Sequence, residues 1–382
     1  MAELNETPKG NRVHVAFFGL RNAGKSTLVN AFTGQDIAIV SDVAGTTTDP
    51  VSKAMEILPL GPCLVTDTAG LDDVGELGAM RVEKTLRVLA TADIAVWVDD
   101  SSVPVPNDAV QARAMFDAEC RKRGVTVLEY RRGDSVDELK AKVAAVKLAE
   151  VPPGLLDGIA KAGDRVVCVC PIDESAPKGR LILPQVQLVR ECLDIGAWCV
   201  VCQPRELGEV LTSVRCDIVV TDSQAFGEVR RVMKSTPEDV RPSLTSFSIL
   251  FARQKGDLAE YVKGLAAIRA LADGDRILVA EGCTHHRQCN DIGTVKIPKA
   301  LSKMSGRSLE FSFSSGGSFD FEDKGAKPAL VVQCGGCMLT RREVMRRMAI
   351  CREAGVPIVN YGMLLAAAHG LNGVRPDGLV DL

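Results

Sequence analysis

The chain has 382 residues, of which 46% are hydrophobic and 25% charged, with a formal net charge of −3. That length exceeds one ordinary core and points to two or three globular domains, and the charge balance offers no basic surface for nucleic acid. Met1 to Asn11 is polar with no apolar signal region, and no apolar run reaches the roughly 18 residues of a membrane helix, so the expectation is a cytoplasmic protein without a membrane partner.

In chain order, Val13 to Phe18 reads as a strand and Lys25 to Phe32 opens a helix. Between them Gly19-Leu-Arg-Asn-Ala-Gly24-Lys25-Ser26 satisfies GxxxxGKS, in the strand-to-helix setting that the pattern needs. Its glycines let backbone N–H groups wrap phosphates, Lys25 reaches the β- and γ-phosphates, and Ser26 is suited to Mg²⁺. The helix amino terminus adds positive potential. Gly19, Asn22, Ala23, Gly24, Lys25, Ser26 and Thr27 are therefore the candidate nucleotide-binding residues. Gly45-Thr46-Thr47-Thr48 suits a switch loop, with Thr46 on the nucleotide and Thr47 also a Mg²⁺ ligand. Cys63 to Thr66 is a second strand, and Asp67-Thr-Ala-Gly70 follows it as the second metal-side motif. There Asp67 holds Mg²⁺ through water and the Gly70 amide senses the γ-phosphate. Lys25, Thr47 and Gly70 are the catalytic candidates.

A helical stretch near Arg81 to Leu89 and a strand at Ile94 to Val98 continue a βαβ alternation, which implies a mostly parallel sheet. This first segment resembles translation-factor-like GTPases of the Era and TrmE kind. In that group an apolar residue replaces the water-positioning Gln, and Leu71 stands there. A P-loop Asn in that group coordinates an activating K⁺; Asn22 matches it, with Ser41, Val43 and Thr46 where the rest of the K⁺ loop would be. The alternative for Asn22 is an ordinary turn residue. The Asn-Lys-x-Asp motif that reads guanine is missing. Tyr130-Arg-Arg-Gly-Asp134, after the strand-like Val125 to Leu128, is either a degenerate version keeping Asp134, or Val136 to Lys140 is already the last helix and the motif's strand is deleted.

Val151-Pro-Pro-Gly154 punctuates the end of this segment. Beyond it, Val166 to Val169, Trp198 to Val201 and Ile218 to Thr221 read as strands, with helices such as Val186 to Leu193 between them. Cys199-Val-Val-Cys202 has CxxC spacing, but its valines and Trp198 predict a core strand rather than a metal site. The last segment starts with a helix to Leu271 and continues with strands Arg276 to Ala280, Ala329 to Val332 and Val356 to Asn360, and helices Arg341 to Ala354 and Met363 to His369. Ser305 to Lys327, rich in Ser, Gly and Phe, predicts an exposed loop.

Thirteen cysteines in a reducing compartment are buried thiols or metal ligands rather than disulfides. Cys283-x-His285 and Cys334-x-x-Cys337 are the ligand candidates, each just after a strand, where α/β sheets put their ligands. Three thiolates suit three irons of a [4Fe-4S] cluster with an open fourth position; three thiolates and a histidine equally suit zinc. Spacing alone leaves both open.

The whole chain resembles the HydF family of [FeFe]-hydrogenase maturation GTPases. The resemblance is carried by Gly19 to Ser26, Ala44-Gly-Thr-Thr47, Asp67 to Gly70, Pro171-Ile-Asp, Ala176 to Pro184, Thr221-Asp-Ser-Gln224, Leu244 to Arg253, Cys283-Thr-His-His and Cys334-Gly-Gly-Cys337. It implies an α/β protein: a P-loop GTPase domain (1–160), then two smaller α/β domains with largely parallel sheets, for dimerisation (161–265) and iron–sulfur cluster binding (266–382). It implies GTP, Mg²⁺, K⁺, a [4Fe-4S] cluster and a diiron precursor cluster as cofactors and cargo. The implied partners are a second copy of the chain, the hydrogenase and two radical-SAM maturases. It turns the metal reading toward iron–sulfur on Cys283, Cys334 and Cys337, with His285 as the further candidate. One departure stands out: the family has His immediately before the Cys-x-x-Cys, and here it is Gln333. The rival is a zinc-stabilised regulatory GTPase that only binds partners.

Overall fold

The computed structural model describes residues 7–35, 50–73, 75–100, 107–148, 152–172, 181–282, 291–316, 319, 327–371 and 373–382. They form two compact units, Met1–Val151 and Pro152–Leu382, divided at the Val-Pro-Pro-Gly stretch.

The first unit runs β1 (Val13–Gly19), α1 (Lys25–Thr33), β2 (Val51–Ile57), β3 (Gly61–Asp67), α2 (Gly75–Thr91), β4 (Ile94–Asp99), α3 (Asn107–Arg123), β5 (Thr126–Arg131) and α4 (Val136–Ala144). Its five strands lie in the order β2-β3-β1-β4-β5. All pair in parallel except β2 with β3. Alternation along β1 decides how the sheet is covered. Val15 and Phe17 pack with Leu28 and Phe32 of α1 and Leu139 and Val143 of α4. Ala16 and Phe18 pack with Leu89 of α2 and Phe116 of α3. A strand buried on both faces reads as an unbroken apolar run, which is what Val15 to Phe18 is. Ser135 starts α4, its hydroxyl accepting the N–H of Glu138 at 3.3 Å.

The second unit contains β6 (Arg165–Val169), α5 (Leu183–Ile195), β7 (Trp198–Cys202), α6 (Leu207–Ser213), β8 (Ile218–Thr221), α7 (Phe226–Ser235), β9 (Ser243–Ser246), α8 (Phe247–Lys255) and α9 (Leu258–Ala267). It continues with β10 (Arg276–Ala280), α10 (Ile297–Ser305), β11 (Glu310–Ser314), β12 (Leu330–Gln333), α11 (Arg341–Ala354), β13 (Ile358–Asn360) and α12 (Tyr361–Ala368). Two four-stranded sheets result, β7-β6-β8-β9 and β11-β10-β12-β13. Every pairing in both is parallel. Val167, Val219 and Leu244 of one sheet share a continuous core with Ile277, Val331 and Val359 of the other. The α/β class expected from the sequence is therefore what the chain adopts. Among the described residues no helix is long and apolar enough to cross a membrane.

Two local expectations need correction. Cys199 to Cys202 is a strand, but at a sheet edge, so Trp198 is 67% exposed and Val201 46%. Burial of an edge strand depends on what covers its faces: β13, also an edge strand, is fully buried, with Ile358 at 3% and Val359 at 0%. The supposed loop Ser305 to Lys327 holds β11, which pairs with β10 from Arg276↔Glu310 to Ala280↔Ser314. The alternation Phe311-Ser-Phe313-Ser was its strand signal.

Gly264 lets α9 lie directly on β13: a Cβ there would collide with the Ile358 carbonyl. Gly264→Ala is therefore expected to cost about 2 kcal/mol or more. A thermal melt should fall by about 4–8 °C; an unchanged melt would mean that this packing is not as tight as described.

Candidate nucleotide and cysteine sites

In the first unit, β1 delivers the chain into a loop where Asn22 (φ 57°) and Gly24 (φ 88°) adopt left-handed conformations. That turns the loop around the Lys25 amine, which is buried and donates to the carbonyls of Leu20 at 2.6 Å and Gly19 at 3.4 Å. Burial pushes the Lys25 pKa down, opposed by the charges of Asp67, Asp72 and Asp73. The β1–β3 register sets Phe17 beside Asp67. Ser26 Oγ accordingly donates to Asp67 Oδ2 at 2.6 Å. Asp67 is fully buried, and its Oδ1 has no hydrogen-bond partner. Burial raises the Asp67 carboxyl pKa, against the Ser26 hydrogen bond and the Lys25 charge. A hydroxyl and a carboxylate with an unsatisfied oxygen, at a helix amino terminus, fit a hydrated Mg²⁺.

Gly70 packs so closely on Arg21 that a Cβ would stand 2.8 Å from the Arg21 nitrogen. Leu71 donates its N–H to the Gly19 carbonyl at 3.3 Å, and its side chain turns into the core with Phe18 and Leu89. Two residues that the motif reading missed complete this junction. Asp72 accepts the Arg21 N–H at 2.7 Å, and the Arg21 guanidinium lies 3.5 Å from both Asp72 and Asp73. The Asp-Asp pair after Asp67-Thr-Ala-Gly-Leu was the available signal. Ala23 is buried beside the loop, and Thr27 lies in α1. Ser41, Val43, Thr46, Thr47 and Thr48 lie outside the described residues.

β5 runs through Arg131, and α4 starts at Val136. Asp134, the residue left of the base motif, accepts the Arg131 N–H with its carboxylate at 2.9 Å, closing the turn between them.

In the second unit, β10 and β12 pair with Ala280 beside Gln333. The chain reaches Cys334 at Gly282, the last described residue before Cys283, whose N–H donates to Cys334 Sγ at 3.2 Å. Cys283 and His285 lie outside the described residues, as does Cys289. Gly336 (φ 71°) curls the loop between Cys334 and Cys337. Asn360 Nδ2 donates to the Cys334 carbonyl at 3.3 Å. Lys255 Nζ, at the end of α8, donates to the carbonyls of Gly336, Cys337 and Leu339 at 3.2, 3.2 and 2.7 Å. No sequence signal pointed to Lys255, because its partners lie more than 80 residues away. Burial pushes the Cys334 thiol pKa up, and that of Cys337 up to about 11. Gln333 is buried and donates through Nε2 to the Tyr261 hydroxyl at 3.0 Å. His369, at the end of α12, sits beside Gly227.

Among the described residues no three His, Cys, Asp or Glu side chains come together as a metal site. A pair of soft thiols on a glycine-curled loop, one already accepting a backbone N–H, fits a thiolate-bound cluster or metal whose remaining ligands come from elsewhere.

Three segments match known families. Residues 14–129 match the 50S ribosome-binding GTPase family, 155–256 the Hydrogen maturase F dimerization domain, and 259–373 the Hydrogen maturase F tetramerization domain. The tRNA modification GTPase MnmE of Cereibacter sphaeroides is 35% identical over 155 residues, 37% of this chain and 36% of that protein. GTPase Der of Wolinella succinogenes is 41% identical over 105 residues, 27% of this chain and 22% of that protein. The chain thus spans about a third or less of the length of these curated relatives. Among solved structures, a single-residue variant of Aquifex aeolicus Era bound to GDP and AlF4− covers 79% of this chain and 92% of its own, at 14% identity and a TM-score of 0.27. The G domain of the T. maritima iron transporter FeoB covers 35% and 96%, at 20% identity and a TM-score of 0.24.

The raised Asp67 pKa makes a prediction with a definite sign. An acid whose folded pKa lies above its unfolded one loses folding stability as pH rises from the unfolded to the folded value. Asp67→Asn removes that loss. Without Mg²⁺ the variant should melt at or above the parent at neutral pH, and should lose the added stability that Mg²⁺ with nucleotide gives the parent. Melts with and without both ligands check this; retained Mg²⁺-dependent stabilisation would remove Asp67 from the metal site.

Proposed function

The chain belongs to the hydrogen maturase F family, and from that premise we propose that it is a scaffold and carrier in [FeFe]-hydrogenase maturation, with GTP binding and hydrolysis as its switch. Residues 1–160 act as the GTPase domain, 161–265 as the dimerisation domain and 266–382 as the cluster-binding domain. The cargo is a diiron precursor, received from two radical-SAM maturases and passed to the hydrogenase. The setting is cytoplasmic, with the chain acting as a homodimer.

The observation that carries this reading is the Gly282 N–H on Cys334 Sγ, which brings the strand end leading to Cys283 onto the Cys334–Cys337 loop. Cys283, Cys334 and Cys337 hold the cluster, with His285 as a further ligand. A bound [4Fe-4S] cluster supplies an iron position open to an outside ligand, and so an anchor for the cargo. The chain's own part is to fix the loop through Asn360 and Lys255, and to limit water around thiols that are already half-buried.

At the nucleotide end, Gly19, Asn22, Ala23, Gly24 and Thr27 enclose the phosphates, and Lys25 moves its N–H donors from the loop carbonyls to phosphate oxygens. Ser26, Thr47 and Asp67 hold Mg²⁺, which neutralises phosphate charge. Thr46 and Gly70 report the γ-phosphate, and its loss frees the junction between Gly70 and the P-loop. Asn22 contributes to a K⁺ site. Hydrolysis is slow and is positioning chemistry. Lys25→Ala should lower GTP turnover by at least about a hundredfold, and replacing Na⁺ with K⁺ should raise it in the parent. Undiminished turnover in the variant excludes the P-loop assignment, and equal rates in the two salts exclude Asn22 from a K⁺ site.

For the cysteine end, anaerobic purification with metal analysis and EPR should find iron and sulfide, lost together in Cys334→Ser. Stoichiometric zinc without an iron signal would establish the zinc-stabilised GTPase instead.

A further inference from the structure

Lys255 is a buried cation that no carboxylate among the described residues pairs with. It is 3% exposed. Its three N–H groups all go to neutral carbonyls, those of Gly336, Cys337 and Leu339. The Phe251 ring lies 5.1 Å from its Nζ. Among the described residues no carboxylate comes within ion-pair distance of it. One of the carbonyls it holds is that of Cys337, so it sits on the loop that carries both thiols. Arg347, the other deeply buried cation of this unit, shows the contrast: its Nε donates to Glu343 at 2.7 Å. The carboxyl end of α8 offsets part of the Lys255 charge. The rest is expensive, because a buried ion without a partner keeps its desolvation cost. Neutral thiols leave that cost standing. An anionic thiolate-bound group on Cys334 and Cys337 removes it.

We propose that Lys255 is the positioning residue of the cysteine loop and the resident counter-charge of the anionic group held there. The inference rests on the cluster reading above. Two roles combine in one side chain. Three hydrogen bonds fix the carbonyls of Gly336 to Leu339, and so the direction in which Cys334 and Cys337 face. The ammonium also lies on the loop that carries both thiols, where it favours whichever state of the bound group is more negative. α8 belongs to the segment matching the dimerization domain, and the loop to the segment matching the tetramerization domain. Lys255 is therefore also the link by which a shift of α8 would change the charge felt at the cysteines.

The test uses the full chain, purified and reconstituted without oxygen, as parent, Lys255→Met, Lys255→Gln and Lys255→Arg. Iron and sulfide content, rate of iron loss to a chelator and the EPR-monitored midpoint potential are read for each. Lys255→Met should have a more negative midpoint and faster iron loss than the parent, and Lys255→Arg should restore the parental midpoint. Lys255→Gln retains N–H donors without charge, so it reads the charge even where the Met variant fails to hold the loop, and its midpoint should also fall. A parental midpoint in Lys255→Gln or Lys255→Met overturns the proposal and leaves Lys255 a structural brace. A parent that holds no iron–sulfur cluster fails at the first measurement, which marks the cluster reading itself as wrong, not the role of Lys255 within it.

Discussion

Parallel strand pairing is the constraint on which both candidate sites depend. In a parallel pair, neighbouring strands end at the same edge, so their following loops meet there with no further device. The Phe17↔Asp67 register sets the start of the phosphate loop beside the carboxylate that Ser26 needs. The Ala280↔Gln333 register likewise brings Gly282 to Cys334. A one-residue slip in either pair would turn the relevant side chains to the other face. Cores filled from both sides make such a slip costly: Val15 and Phe17 feed one core, Ala16 and Phe18 the other.

Both sites also keep charge in places that the fold alone does not compensate. In the first unit Asp67 is buried with one oxygen unpartnered, and Lys25 is turned back onto loop carbonyls. In the second, Lys255 is buried against carbonyls and thiols. Each arrangement is less stable than an apolar replacement of the same shape would be. Such a cost is tolerable where a ligand of opposite charge removes it, as Mg²⁺ and phosphates do in a P-loop GTPase domain. The same logic accounts for the thiols themselves. Burial favours their protonated form, so whatever binds them must displace protons.

How much of this could be read from the sequence follows from how local each signal is. The phosphate loop is contiguous and its strand-to-helix context visible, so Gly19 to Ser26 and its relation to Asp67 were legible. The Cys334–Cys337 pair was visible by its spacing and its place after a strand, which is where the structure has it, following β12. What held them was not. Lys255 meets its carbonyls across more than 80 residues of chain, and Gln333 meets Tyr261 across 72. No periodicity encodes such contacts. The misreadings have an equally physical origin. Trp198 and Val201 look like core residues because composition cannot tell an edge strand from a central one. The Ser- and Phe-rich stretch looks like loop because serine favours turns, yet alternation with Phe311 and Phe313 makes β11. Asp72 and Asp73 were visible as a pair but given no task, since their partner Arg21 belongs to a motif whose variable positions carry no meaning in the pattern.

The degenerate base motif gains a physical explanation from the turn that contains it. Asp134 offers its carboxylate to the Arg131 N–H, and its own N–H donates to the Arg131 carbonyl at 2.8 Å. Tyr130 adds a bond from its hydroxyl to the Asp134 carbonyl at 3.0 Å. Ser135 then starts α4 at once. An aspartate here is explained by turn chemistry and the short link from β5 to α4, so its presence is no sign of a retained guanine contact. A carboxylate engaged within its own turn has to release that bond before it reads a base, just as Lys25 has to leave the carbonyls of Gly19 and Leu20 before it reaches a phosphate.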